Sequence, residues 1–253
     1  MTGRYRRDLA LVHHLGFGFH ADACAPGILA RLEPVLARNG LVLELGCGSG
    51  ALTRHLVAAG HRVVATDASP EMVELAREHA PGAEDLRVLA LQEEPLPAAD
   101  AVVSVGHVVS YLPDEPAIDR ALTAIAGALV AGGILALDLC DLSYAEARRH
   151  APVSNARVED DWAIVSRFEV PSPERFVRQI TTFLRESAGS WRRDDERHVN
   201  VLIDTSRVPS LLREHGVRAT VGPSFGDEQL PDGLVAVVGR RVGRPGLEPG
   251  PEA

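Results

Sequence analysis

The segment Val42-Leu-Glu44-Leu-Gly46-Cys47-Gly48-Ser-Gly50 runs from an apolar, β-branched stretch into a glycine loop and on into a helical pattern. Glycines at such a junction let backbone amides approach a ligand, and the helix amino terminus behind them favours a negative group. Gly46, Gly48 and Ala51 satisfy the dinucleotide spacing G-x-G-x-x-G/A, with Asp67 where that pattern places its acid, so the loop alone leaves the ligand open. Glu44 argues on charge, because a carboxylate two residues before the first glycine repels a pyrophosphate and attracts a ligand with an ammonium and a second cationic centre. Asp67 ends the next apolar run, and its two oxygens can accept from both hydroxyls of a ribose.

Other reactive side chains are weaker signals. Cys24, Cys47 and Cys140 are far apart with no C-x-x-C pair, so neither a disulfide framework nor a structural zinc site is indicated, and a reducing cytoplasm fits best. Cys47 shows no Cys-His pairing, and its position calls mainly for a small side chain. His13, His14 and His20 lack a cluster of acids or cysteines, so no metal is expected. Asp138 and Asp141, flanking the end of an apolar run, touch a ligand or cap the next segment; capping is the expectation for Asp141.

The 253 residues are 45% hydrophobic, enough for one large domain with a small elaboration. Basic side chains number 26 against 35 acids, giving a net charge of −9, the wrong sign for neutralising nucleic-acid phosphates. The sequence contains no lysine, which rules out a Walker-type lysine, a pyridoxal Schiff base and a lysine general base. No apolar run approaches the length of a signal peptide or membrane span, so a soluble protein without membrane partners is expected.

Positioning these residues requires strands at 41–45, 62–66, 86–90, 101–105 and 134–139, alternating with helices at 51–59, 70–79 and 114–130, the last stopping at Gly132-Gly133. Ser69 is the expected N-cap and Pro70 the first helical residue of the second helix. A helix at 26–38 follows a loop at 15–20. Antiparallel strands at 162–170, 176–185 and 191–204 form an insert, followed by a helix at 205–215 and strands at 217–221 and 234–241 that close the main sheet. The division is a lid at 1–25, a core at 26–142, an inserted sheet at 143–204 capping a pocket, closing elements at 205–242 and a disordered tail at 243–253.

Through Glu44-Leu-Gly-Cys-Gly-Ser-Gly50, Ala65-Thr-Asp67-Ala-Ser-Pro-Glu-Met72, Asp100-Ala-Val-Val-Ser-Val-Gly-His107 and Leu129-Val-Ala-Gly-Gly-Ile-Leu-Ala-Leu-Asp138, the chain resembles the class I S-adenosylmethionine-dependent methyltransferases. Tyr5 to His20 and Gly106-His-Val-Val-Ser-Tyr-Leu112 look like a bacterial small-molecule subgroup. The resemblance implies an α/β Rossmann-like seven-stranded sheet with helices on both faces, plus a small antiparallel sheet inserted after the fifth strand. It implies S-adenosylmethionine as cofactor and S-adenosylhomocysteine as product, with Glu44, Gly46, Cys47, Gly48 and Gly50 holding the methionine part and Asp67 and Ala68 the ribose. Met72 would pack on the adenine, Leu91 and Gln92 would read its edge, and Val105 and Gly106 would face the methyl group.

A small-molecule acceptor then falls to His14, Phe17, His20, Tyr111, Trp162, Arg167 and Arg178, by a monomer or homodimer. His107 is the first candidate base, since it follows the fourth strand at the crevice and imidazole titrates near neutrality; Tyr111 would orient the acceptor. The rivals are a nicotinamide-dependent oxidoreductase, favoured by the formal dinucleotide spacing, and a non-catalytic cofactor-binding regulator.

Overall fold

In Leu41–Leu45 (β1) four of the five residues are buried, with Val42 in one hydrophobic cluster and Leu43 and Leu45 in the other. A strand apolar on both faces belongs in the middle of a helix-covered sheet. The computed structural model describes residues 4–242 apart from Gln92, Ala151 and Ala188; the tail at 243–253 and the adenine role of Gln92 fall outside the described residues.

Ahead of β1 lie α1 (Arg7–Gly16) and α2 (Phe19–Leu36). Then follow α3 (Ala51–Ala58), β2 (Arg62–Asp67), α4 (Pro70–His79), β3 (Asp85–Val88), β4 (Ala99–Ser104), a 3₁₀ turn (Val108–Tyr111), α5 (Glu115–Ala128) and β5 (Leu129–Cys140). After α6 (Ser143–Arg149) come β6 (Ser154–Val158), β7 (Trp162–Ser172), β8 (Arg175–Arg185) and β9 (Trp191–Val201), then α7 (Val208–Glu214), β10 (Val217–Gly222) and β11 (Leu234–Arg241). The seven-stranded sheet has the order β10-β11-β5-β4-β1-β2-β3, and β6 to β9 form a separate four-stranded sheet. β1 to β5 are mutually parallel where they pair, while β11 runs antiparallel to both β5 and β10. Residues of α2, α3 and α4 pack on one face, and those of α5 and α7 on the other.

Local chemistry sets most boundaries. Ser69 Oγ accepts from Met72 N at 3.1 Å and Pro70 occupies the first turn of α4, as expected. Asp114 caps α5 through Ala117 N at 2.8 Å. Asp141 accepts from Ser143 N and from Thr205 Oγ1, tying both ends of the insert together.

Three expectations are corrected. The helix ahead of β1 begins at Phe19 rather than 26, so only Phe17 and Gly18 remain of the loop at 15–20, and Pro26 and Pro34 lie inside the helix. Burial of Cys24, Ala25, Ile28 and Leu32 outweighs the amide hydrogen bond that each proline forgoes. The helix expected to stop at Gly132-Gly133 ends at Ala128; those glycines lie inside β5, at a register shift where Ala99 pairs Leu129 and Ala101 pairs Ile134. Gly132 has φ +75, which suits the irregularity. The insert also contains α6 and β6, and every residue of β6 is exposed, leaving no alternation to read.

The inserted sheet turns the even-numbered residues of β8 inward, with Phe176, Ile180, Thr182 and Leu184 buried. Leu9 and Val12 of α1 pack there against Trp162, Ile164, Ile180 and Leu184. The chain ahead of α1 is strapped to β9: Glu196 accepts from Tyr5 N and Arg6 N, each at 2.8 Å, and from His198 Nε2 at 2.8 Å. Arg192 holds Asp8 with two bonds, at 2.8 and 2.7 Å. Glu196→Ala is expected to raise amide hydrogen exchange of residues 5–12 by roughly tenfold or more, for a local opening cost of about 1–3 kcal/mol, while β1 and β4 stay protected. Unchanged exchange in that segment would refute the strap.

Candidate functional site

The crevice lies at the carboxyl ends of β1, β2, β4 and β5, where parallel α/β sheets collect ligands. After β1 the chain turns through Gly46, Gly48 and Gly50, at φ +69, +55 and +87. A Cβ on Gly46 would collide with Val108, whereas a Cβ on Gly48 or Gly106 would meet nothing within 4 Å. Gly46 is therefore fixed by packing, and Gly48 and Gly106 present bare backbone from two adjacent strands to open space.

Asp67 fastens this loop, accepting from Gly48 N at 2.9 Å and from Ser69 N at 2.8 Å. Burial raises its carboxyl above the ordinary value, and those backbone donors oppose the rise. Glu44 lies beneath, 2% exposed, accepting from Thr53 Oγ1 at 2.7 Å.

Burial pushes the Glu44 carboxyl up to about 7, against the Thr53 hydrogen bond. A carboxyl raised on folding binds its proton more tightly folded than unfolded. Its stabilising contribution is complete below about 4.5 and is lost as pH rises to about 7. Across that window wild-type protein is expected to lose roughly 3 kcal/mol relative to Glu44→Gln, read from paired denaturation curves. Parallel stabilities would refute it.

β4 and β5 supply a second buried carboxylate, Asp138, at 0% exposure. It accepts from Gly106 N at 2.9 Å, His107 N at 2.6 Å and His20 Nε2 at 3.0 Å. Asp138 thus fixes the turn after β4, in which His107 takes a left-handed φ of +50. The His107 Nδ1 is buried without a partner, and burial lowers the imidazole to about 3, so the ring is neutral. It stacks on Tyr111 at 5.6 Å between ring centroids. Burial also raises Tyr111 well above its ordinary value, keeping the phenol protonated; its hydroxyl accepts from Arg178 and shares a hydrogen bond with Tyr5 at 3.1 Å.

The expected acceptor-side residues divide. His20, His107, Tyr111 and Arg178 come together: His20 and the His107 amide meet on Asp138, His107 stacks on Tyr111, and Arg178 of the inserted sheet donates to the Tyr111 hydroxyl. His14 lies against the glycine loop, with Nδ1 at 3.0 Å from Ser49 Oγ and its ring 3.8 Å from that of His79, and lines with Ser49, Gly50, Arg54 and Arg157 a pocket of about 410 Å³. Phe17 and Trp162 meet each other at 6.5 Å in the cluster joining α1 to the cap, so packing is what the structure gives them. Arg167 is exposed, its neighbours Ser166 and Phe168 being more enclosed: alternation along β7 sends it to the outer face, a correction to its place among the acceptor residues. Cys47 is 6% exposed with its thiol raised far above the ordinary value by burial, which removes it as a nucleophile.

On the expected cofactor side, Met72 is 2% exposed, Val105, Gly106 and Leu91 are half-buried, and Ala68 is exposed beside Asp67. Sequence reasoning missed Tyr5, Arg148, Glu196, His198 and Asn200. Glu196, His198 and Asn200 alternate along β9, but in a run as polar as Trp191 to Asn200 that alternation carries no contrast.

Residues 42–133 match a family model described as a methyltransferase domain. A ubiquinone biosynthesis O-methyltransferase of Xanthomonas axonopodis pv. citri is 37% identical over 104 residues, covering 39% of this chain and 42% of that protein. The matched stretch thus spans less than half the length of such curated relatives. A S-adenosylmethionine-dependent methyltransferase from Clostridium acetobutylicum superposes with a TM-score of 0.75 at 15% identity, covering 92% of this chain and 98% of that one. The S-adenosylmethionine-bound amino pentose methyltransferase of Micromonospora echinaspora gives 0.69 at 18% identity, covering 96% and 99%. These structural likenesses are likenesses of fold.

The order of the sheet separates the two readings of the glycine loop. The dinucleotide fold continues its parallel strands to the edge in the order 3-2-1-4-5-6, whereas here the antiparallel strand β11 follows β5 and β10 lies at the edge. That hairpin closes the sheet in a way the dinucleotide order does not, and residues 42–133, which hold the loop, match the methyltransferase-domain model.

Proposed function

We propose that this protein transfers a methyl group from S-adenosylmethionine to a small-molecule acceptor. The observation that carries the proposal is the crevice floor: bare backbone at Gly48 and Gly106 facing open space, flanked by the carboxylates of Asp67 and Glu44. Those groups fit a ligand with a ribose and an ammonium. S-adenosylmethionine, when bound, would supply an electrophilic methyl carbon: the acceptor's lone pair would form the new bond to it as the carbon–sulfur bond breaks in line, with S-adenosylhomocysteine as the leaving group.

The chain's own residues then position. Asp67 offers the ribose hydroxyls its remaining acceptor capacity while holding Gly48. Glu44 lies under the glycine loop, where a neighbouring ammonium favours the carboxylate over the acid. Val105, Gly106 and His107 follow β4 at the place proposed for the methyl group, and Asp138 keeps their backbone fixed through two amides. The neutral His107 imidazole, its Nδ1 unpartnered, is available to orient the acceptor together with the Tyr111 phenol stacked on it; lowered to about 3 by burial, it is too weak a base for the role expected from an imidazole titrating near neutrality. The segment around α1 and the inserted sheet act as the acceptor cap and exclude water.

The printed chemistry of the relatives, a ubiquinone-biosynthesis O-methyltransferase and an amino pentose methyltransferase, supports small-molecule acceptors as a class. No described helix is long and apolar enough to cross a membrane. The test is calorimetric titration of ligand-stripped protein with S-adenosylmethionine, S-adenosylhomocysteine and NADH in two buffers of different ionisation enthalpy near pH 6.5. Binding of both sulfur ligands with release of a proton from Glu44, and none of NADH, is expected; binding of NADH alone would overturn the proposal.

A further inference from the structure

We infer that the acceptor carries an oxyanion, a carboxylate or a phosphonate-like group, held by Arg178 and Arg148 beside Asn200; this rests on the methyl-transfer reading of the crevice. Arg178 projects inward from β8, gives Nη2 to the Tyr111 and Tyr5 hydroxyls, and keeps a buried Nε without a partner. Arg148 projects from α6, donates to the Tyr144 hydroxyl at 2.9 Å, and also keeps a buried, unpartnered Nε. Neither guanidinium forms an ion pair among the described residues.

This is not for want of acids. Some arginines that face solvent on the same sheet pair locally, Arg192 with Asp8, Arg193 with Asp195 and Arg157 with Glu159, whereas the exposed Arg167, Arg175 and Arg197 form no ion pair among the described residues and are solvated by water instead; the chain has 35 acids to 26 bases. The buried carboxylate of the crevice, Asp138, is engaged by two backbone amides and His20. A guanidinium withdrawn from water without a counter-ion is costly, and a site that binds an anion supplies one on loading.

Asn200 marks the same wall. It is 0% exposed, pairs across the ladder with Phe176, and has neither Oδ1 nor Nδ2 partnered. Phe176 lies one inward position from Arg178, meets Tyr144 edge-on at 5.2 Å, and has Arg148 over its ring at 5.9 Å. Both arginines act electrostatically on His107. Two cations with free N–H donors, an amide with nothing to bind and an aromatic wall therefore gather behind Tyr111, which Arg178 contacts, and within electrostatic reach of His107. An oxyanion accepts from the Nε–H groups and the Asn200 amide, while the Phe176 and Tyr144 rings cover an apolar body.

The experiment is ligand-observed NMR titration of the full chain loaded with S-adenosylhomocysteine, using benzoate, phenylphosphonate and neutral benzamide. At least one anion is expected to bind ten times or more tighter than benzamide, and which one identifies the oxyanion. Arg178→Gln and the more peripheral Arg148→Gln should each lose about tenfold in that anion's affinity, with Arg178→Lys partly restoring it and S-adenosylhomocysteine affinity unchanged within twofold. Equal binding of benzamide and both anions overturns the inference, as does full anion affinity in whichever glutamine variants keep the wild-type melting temperature. Failure of S-adenosylhomocysteine to bind wild-type protein would instead sink the methyl-transfer reading, and the anion preference is then judged on ligand-free protein.

Discussion

Replacing Asp67 with alanine is expected to weaken S-adenosylhomocysteine binding roughly 100-fold in calorimetric titration, the largest single effect on the cofactor side. Two contributions combine. The side chain offers charged acceptors to the ribose, and hydrogen bonds to charged groups are worth about 1.5–3 kcal/mol, with each 1.4 kcal/mol a factor of ten. It also holds the glycine loop, since Gly48 N at 2.9 Å and Ser69 N at 2.8 Å both end on its oxygens. Asp67→Asn separates these contributions: its one carbonyl oxygen can keep one amide, while its NH2 group confronts the other donor. Intermediate affinity is therefore expected, with a melting temperature closer to wild type than that of the alanine variant. Wild-type affinity in both variants would remove Asp67 from the site.

The largest expected effect on stability is at Asp138. Its carboxylate, 0% exposed, serves Gly106 N, His107 N and His20 Nε2. Asp138→Ala leaves those donors without their acceptor and releases a turn in which a non-glycine residue sits at φ +50. A loss of about 3–5 kcal/mol is expected, and for a domain of this size a melting temperature lower by roughly 10 °C in scanning calorimetry. His20→Ala removes one of the three bonds, from a partly exposed partner, and should cost less than about 1.5 kcal/mol. If His20→Ala were as harmful as Asp138→Ala, the histidine contact rather than the backbone clamp would be the feature that holds the turn.

How much of this was legible in the chain differs by region. The glycine loop, Asp67, and the Ser69-Pro70 helix start could be read because each is a local rule: the residue type is dictated by its own φ/ψ, its own cap or its own strand end. The parallel core was readable for the same reason, since apolar runs and amphipathic runs alternate from 41 to 139. The start of α2 was not, because the packing of Cys24, Ala25 and Ile28 on the sheet overrides what a proline at 26 says locally. Nor was the end of α5, where strand pairing of Leu129 with Ala99 claims residues that the Gly132-Gly133 pair suggested for the helix.

The acceptor wall marks the boundary between the two kinds of knowledge. By itself the sequence determined the sheet, the cofactor loop and the absence of amine chemistry, because these follow from residue type, spacing and composition. Only the tertiary structure decided that Arg178 faces Tyr111 and Tyr5 while Arg167 faces solvent, that Asp138 clamps the turn at His107, and that Arg148 and Asn200 keep buried polar atoms without partners. Tyr5 and Arg178 lie 173 positions apart in the chain and meet across the cap. Strand register and the docking of α1 bring them together, and both are set by the burial of distant apolar residues rather than by any pattern local to the residues that meet.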